Sequence, residues 1–294
     1  MEVHAMFKSL LVPALSRSSF PGALSAALSL AEQYQGHAVA CQVRQPFDAS
    51  LQPLPYPLEM GSISQARSLY EKSVDELTSY LRQAFEAAVK AASIKEISFE
   101  GEDIPDEPTA GWIVRCGDPY ELVSRFGRMN DIIVMQQCQK VSGVIESELR
   151  QRLLTEVGKP VLLVPETGMP QFPRSALIGW NGSLEATRAL TAALPLLKKL
   201  EHIVLLTIGD VRETYPAASE ARQYLRFHGI LAEVMTVKKS AGSVTDQLRQ
   251  IATDQQTDML VLGGYSHSRM RERVFGGVTQ DVLKNTGLPA FIVH

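Results

Sequence analysis

Residues 258–293 read DMLVLGGYSHSRMRERVFGGVTQDVLKNTGLPAFIV. A short apolar run, MLVL, is written as a buried strand and ends in Gly263 and Gly264. A polar, basic loop follows, then Gly276 and Gly277. TQDVLKN reads as a helix that Gly287 and Pro289 stop, and PAFIV as a further strand. A helix start with small residues before it exposes backbone N–H groups and the positive end of a dipole, which suits a phosphate. His267, Arg269, Arg271 and Arg273 stand in the loop against a single Glu272. Glycine-flanked loops are also common as plain surface turns, so this stretch alone leaves both readings open.

Working outward, the first half of the chain carries the same pattern. NDIIVMQQ, a loop, a helix near ESELRQRLLTEV and GKPVLLVP parallel TDMLVLGG, the loop, TQDVLKNT and GLPAFIV. The starts match as well: SLLVPALSRSSFPGALSAALSLAEQY parallels ALIGWNGSLEATRALTAALPLL. Between the halves lies PETGMPQFPRS, 165–175, whose three prolines and one glycine mark a linker. Two domains are expected, 1–165 and 174–294, a division that the 294-residue length allows.

In the second half, strands are expected near 175–180, 202–208, 231–237, 258–262 and 289–293. Helices are expected near 184–198, 216–228, 243–255 and 278–286. Ser243 before VTDQLRQIA, with Asp246 three residues on, is close to a capping box. The first half adds the Pro-rich segment QPFDASLQPLPYPLEMG, expected to be an exposed excursion, and a long amphipathic helix over about 63 to 92. Apolar strands alternating with helices imply an α/β fold of two doubly wound, mainly parallel five-stranded sheets. If the strand order is 3-2-1-4-5, ligands bind between the carboxyl ends of the first and fourth strands. In the second half those ends are Trp180-Asn181-Gly182-Ser183 and Gly263-Gly264.

These residues resemble the universal stress proteins, in a tandem arrangement that covers nearly the whole chain. The family's nucleotide-binding members carry glycine, two residues, glycine, nine residues, then glycine and Ser or Thr. Here the positions are Gly263, Ser266, Gly276 and Gly277, with HSRMRERVF as the nine. The family's first strand often ends V-D-G-S, and here the run is W-N-G-S, with Asn181 in the Asp place. Ser266 brings a Cβ where the pattern has glycine, and Gly277 lacks the hydroxyl, which Thr279 can supply. The resemblance implies a Rossmann-like fold of the adenine nucleotide alpha hydrolase type. It also implies a site for ATP or another adenine nucleotide. Backbone N–H groups of Gly276, Gly277, Val278 and Thr279 would meet phosphate oxygens. Gly263 would let the chain turn away from its strand, Asn181, Gly182 and Ser183 would lie near the nucleoside, and Ser266, His267 and Arg269 near the phosphates.

The first half departs further. Gln136, Gln137 and Cys138 replace the glycines and Ala14 stands in the Asp place, so no phosphate site is expected there. By the resemblance, this half serves as the second subunit of an internal pseudo-dimer, joined through PVLLV and PAFIV. Whether two chains associate stays open.

Composition narrows the classes. A net charge of −3 argues against general nucleic-acid binding. Cys41, Cys116 and Cys138 are odd in number and far apart, without CxxC, which argues against a disulfide framework or zinc site. No apolar run reaches the roughly 18 residues of a membrane helix, and the start does not read as a signal peptide, so a cytoplasmic protein is expected. The histidines, at 4, 37, 202, 228, 267 and 294, show no ligand spacing, and no metal is expected. There is no Walker A spacing, no G-x-G-x-x-G after a strand and no G-x-S-x-G, so no catalytic residue is assigned. The expectation is a non-enzymatic stress-response protein with a regulatory nucleotide site in its second half. The alternative is an interaction module with a vestigial crevice and an unidentified protein partner. Slow ATP hydrolysis stands third.

Overall fold

The structure is a computed structural model describing residues 7–47, 60–98, 106–137, 144–169, 171–210, 215–240, 243–264 and 287–294. The first half runs β1 (Ser9–Pro13), α1 (Phe20–Tyr34), β2 (His37–Arg44), α2 (Met60–Ala91), β3 (Lys95–Glu96), β4 (Thr109–Cys116), α3 (Pro119–Gly127), β5 (Ile132–Gln136), α4 (Val144–Glu156) and β6 (Val161–Val164). The second runs β7 (Ser175–Gly179), α5 (Leu184–Ala192), α6 (Leu194–Leu197), β8 (His202–Ile208), α7 (Ala218–Phe227), β9 (Glu233–Val237), α8 (Val244–Asp254), β10 (Met259–Gly263) and β11 (Ala290–Val293).

The strands form one 11-stranded sheet in the order β3-β4-β2-β1-β5-β6-β11-β10-β7-β8-β9. Leaving aside the two-residue edge strand β3, each half has the order third-second-first-fourth-fifth. Pairings inside each half are parallel. The halves meet through β6 and β11, which pair antiparallel with Phe291 opposite Leu162. The two last strands are therefore joined, as the resemblance implied, and neither is left as an open edge.

Strands covered by helices on both faces must be apolar on both, and β1, β6, β10 and β11 are buried almost throughout. The alternation of side chains divides them into two cores. One, built on Leu10, Val12, Val134, Val261 and Phe291, packs under α1, α2 and α5. The other, built on Leu11, Ile133, Leu163, Leu260 and Ile292, packs under α4 and α8. The amphipathic helix expected near 63–92 is α2, whose Leu81, Phe85 and Val89 enter the first core.

The repeat extends to single hydrogen bonds. Asp131 Oδ2 accepts from the N–H groups of Lys8 and Ser9 at 2.8 and 3.0 Å. Asp258 Oδ2 does the same for Arg174 and Ser175, at 2.8 and 3.0 Å. Each carboxylate fastens the first strand of its half to the start of the fourth. Across the joint, Tyr34 Oη donates to Pro195 O at 3.0 Å, and the Phe7 ring meets both Tyr34 and Phe291. Gln137 Nε2 donates to Leu288 O at 2.7 Å.

One expected helix differs. The span 184–198 is two helices, broken at Ala193. Pro195 lacks an N–H, and its ring conflicts with the carbonyl four residues earlier, so α5 ends and a short α6 restarts with Pro195 in its first turn. The expected helix 278–286 and most of the Pro-rich segment lie outside the described residues. Among the described residues, no helix is long and apolar enough to cross a membrane.

Candidate functional site

The strand order reverses between β7 and β10, so the crevice predicted for the second half opens at their carboxyl ends. Chain leaving β7 passes through Trp180 into α5. Trp180 is buried and its indole N–H donates to Pro216 O at 3.0 Å, which makes it a packing residue. Gly182 adopts φ +70°, a backbone state that residues with a Cβ rarely reach. This turn lets the Ser183 N–H donate to Asn181 Oδ1 at 3.1 Å. Ser183 is then the N-cap of α5, its Oγ accepting from Ala186 N at 3.2 Å. Asn181 is exposed at the crevice rim, while Ser183 is buried beneath it. The acceptor side of the Ser183 hydroxyl thus serves the helix, although the sequence placed Ser183 beside the nucleoside.

Gly263 closes the other side. A Cβ there would lie 2.5 Å from Ala186 N and 2.6 Å from Glu185 C, both backbone atoms that cannot give way. The sequence reading had this glycine turning the chain. The structure gives it another purpose: β10 runs directly against the first turn of α5, and only a residue without a side chain fits. Gly264 follows, its N–H donating to Val293 O at 2.7 Å. The His294 Nδ1–H donates to Gly264 O at 3.0 Å, extending the hold on this strand end. The Gly263 backbone therefore packs directly on the first turn of α5, with Gly264 buried beside it. Ser266, His267, Arg269, Gly276, Gly277, Val278 and Thr279 lie outside the described residues.

The corresponding crevice of the first half is filled. Gln136 occupies the position of Gly263, and the helix residue facing it is Gly22, where the second half has Ala186. A Cβ on Gly22 would lie 2.9 Å from Gln136 Oε1. The small residue has moved from strand to helix, and the glutamine side chain takes the space. Gln136 is 5% exposed, and its Oε1 has no hydrogen-bond partner among the described residues.

A second group closes this crevice, and the sequence reading missed it. Glu146 of α4 is 4% exposed and accepts from Ser19 Oγ at 3.0 Å. Ser19 is the N-cap of α1, yet it makes no side-chain cap bond to the helix. Its hydroxyl goes to Glu146, so a carboxylate of the protein itself sits where the helix dipole favours an anion. Arg150 lies behind it, with Nη1 3.7 Å from Glu146 Oε2 and donating to Gln136 O at 3.4 Å. The signal was present as Glu146 and Arg150 at i, i+4 on one helix. Only the tertiary fold shows that this pair is buried. Among the described residues, no three His, Cys, Asp or Glu side chains gather as metal ligands.

The architecture is that of a tandem doubly wound α/β protein. No family model matches the chain. A universal stress protein of Synechocystis is 26% identical over 168 residues. That alignment takes in 54% of this chain and 56% of the relative, so the chain spans about half the length of the curated relative it matches. A universal stress protein from Archaeoglobus fulgidus has the same fold over 98% of both chains, with TM-score 0.66 and 14% identity. Another structure described as a universal stress protein, from Pseudomonas aeruginosa, covers 99% of this chain and 95% of its own at TM-score 0.52 and 13% identity. The chain thus resembles the universal stress proteins, in sequence over about half its length and in fold over nearly all of it, with two such folded units in tandem.

Proposed function

We propose that this protein is a stress-response regulator whose second half, 174–294, binds an adenine nucleotide such as ATP or AMP. The nucleotide acts as a sensed ligand and is not turned over. One observation carries the reading: the two crevices differ. The first, in 1–165, holds Gln136 and the Glu146 carboxylate at its helix start. The second presents Gly263 and Gly264 beside the α5 N-terminus, with Asn181 at its rim. By the resemblance, the N–H groups of Gly276, Gly277, Val278 and Thr279 receive phosphate oxygens. Ser266, His267 and Arg269 stand close to those phosphates, and Asn181 and Gly182 near the nucleoside.

The test has two arms. Purified protein is denatured and the supernatant analysed for nucleotide, and nucleotide-free protein is titrated calorimetrically with ATP and AMP. Saturable binding that Asn181→Ala weakens supports the reading. Absence of co-purified nucleotide together with no saturation at millimolar concentration removes it.

A second reading rests on Ser183 and Asn181, whose oxygens accept from backbone N–H groups of the helix start and turn. If the crevice is structural only, the protein acts through its surface. Charge reversal of Arg269 and Arg271 then changes the proteins it captures and leaves nucleotide titrations flat.

A further inference from the structure

The carboxyl ends of β10, β7 and β8 stand side by side, in that order. The nucleotide reading sets the phosphates beyond β10 and the nucleoside at Asn181 beyond β7, so the nucleoside end of the ligand runs on toward β8. β7 and β8 pair through Gly179 and Leu206, and the Trp180 N–H continues the ladder by donating to Leu206 O at 2.8 Å. Asn181 and the exit of β8 are thus neighbours, one strand spacing of about 5 Å apart.

That exit is held in a turn. Gly209 follows Ile208 with φ +80°, and its N–H donates to Val237 O at 2.8 Å. The bond fixes the left-handed turn to the end of β9, and Asp210 leaves it exposed. Among the described residues, no hydrogen bond or ion pair engages the Asp210 carboxylate.

The first half treats the same corner differently. Ser9 pairs with His37 and Ser175 with His202, which sets Arg44 and Gln45 in the places of Gly209 and Asp210. There α2 ties the corner down: Arg44 Nη2 donates to Asp75 Oδ1 at 2.6 Å, and Tyr70 Oη donates to Gln45 O at 2.7 Å. The half whose crevice holds Gln136 and Glu146 therefore carries a neutral residue on a tethered backbone here. The half with the glycine strand end carries a carboxylate that nothing described engages.

A carboxylate accepts several hydrogen bonds and donates none, so it suits a pair of adjacent hydroxyls and repels a phosphate. In doubly wound nucleotide-binding folds, an acidic residue beyond the second strand holds ribose hydroxyls in this way, and β8 is the second strand of its half. We propose that Asp210 is a specificity-determining residue of the second crevice, its carboxylate accepting hydrogen bonds from the 2′ and 3′ hydroxyls of the ribose. This role rests on the nucleotide reading and adds to it a demand for an intact ribose diol.

Calorimetric titration of nucleotide-free protein with ATP and with 2′,3′-dideoxy-ATP tests it. The wild type should bind ATP at least about tenfold more tightly, the difference expected when hydrogen bonds to a charged group are removed. Asp210→Ala should weaken ATP to the level of the dideoxy compound and bind the dideoxy compound no more weakly than the wild type does. Asp210→Asn, which keeps an acceptor without the charge, should fall between. The residue is exposed, and urea midpoints confirm that both variants are folded. A substitution that weakens both ligands equally, or neither, overturns the proposal and leaves the nucleotide reading standing. So does a wild type that binds the two ligands alike. A wild type that binds neither removes the nucleotide reading itself, and this role with it.

Discussion

Gln136 Oε1 stands 2.9 Å from where a Cβ on Gly22 would lie, the inverse of the contact in which Gly263 leaves room for the backbone of Ala186. Strand and helix approach at the same place in both halves, and in each a glycine makes the room, on the strand in the second half and on the helix in the first.

The two glycines should therefore respond differently. Gly263→Ala drives a Cβ into backbone atoms and should cost about 3 kcal/mol or prevent folding. Gly22→Ala meets only the flexible end of Gln136, and its better helix propensity returns about 1 kcal/mol, so stability should change little. Urea denaturation of both variants makes the comparison. Equal losses would show that the crossing is not as close as described.

The two helix caps should also separate. Ser183→Ala removes one cap bond and should cost about 1 kcal/mol. Ser19→Ala removes a hydroxyl that donates to the buried Glu146 carboxylate, and should cost more, about 2–3 kcal/mol. Chemical denaturation again provides the measurement, with Ser183→Asn retaining most of the stability that Ser183→Ala loses.

Arg150→Met should destabilise the first half by about 3 kcal/mol, because it removes a buried cation 3.7 Å from the Glu146 carboxylate. Glu146→Gln/Arg150→Met removes both charges and should recover most of that loss. The double-mutant cycle reads the coupling, and simple additivity would place Arg150 outside the plug.

Burial lowers the pKa of His37, whose Nδ1 lies 2.8 Å from Thr109 Oγ1. Protons then bind the unfolded chain more readily than the folded one. Stability is full above the ordinary histidine value of 6.5 and falls as pH drops below it toward the folded-state value. Denaturation midpoints at pH 7.5 and pH 5.5 should differ more for the wild type than for His37→Asn. An equal drop in both assigns the acid limb to other groups.

Much of this fold was legible in the residues. The runs MLVL, VLLV and IVLLTI could only be strands covered on both faces, and Ser243 announced the start of α8, where its Oγ accepts from Asp246 N at 3.0 Å. Pro195 is a helix breaker within 184–198, but the Ala/Leu periodicity runs across it, so the span reads as one helix. β3 was not legible, since Lys95 and Glu96 carry no strand pattern. Nor was the plug in the first crevice. Gln136 showed only that glycine was missing, and Glu146 looked like one more charge on a helix until α4 was laid against α1. The reason for Gly263 was equally hidden, because a close approach between distant segments leaves no mark beyond the glycine itself.

The antiparallel joint of β6 and β11 has a consequence for descent. In a dimer of identical chains, a substitution that blocks one crevice blocks its twin in the same generation. Fusing both copies into one chain removes that constraint. Gln136 and Glu146 can then stand in one unit and Gly263 in the other, and the joint holds together two units that need not do the same thing.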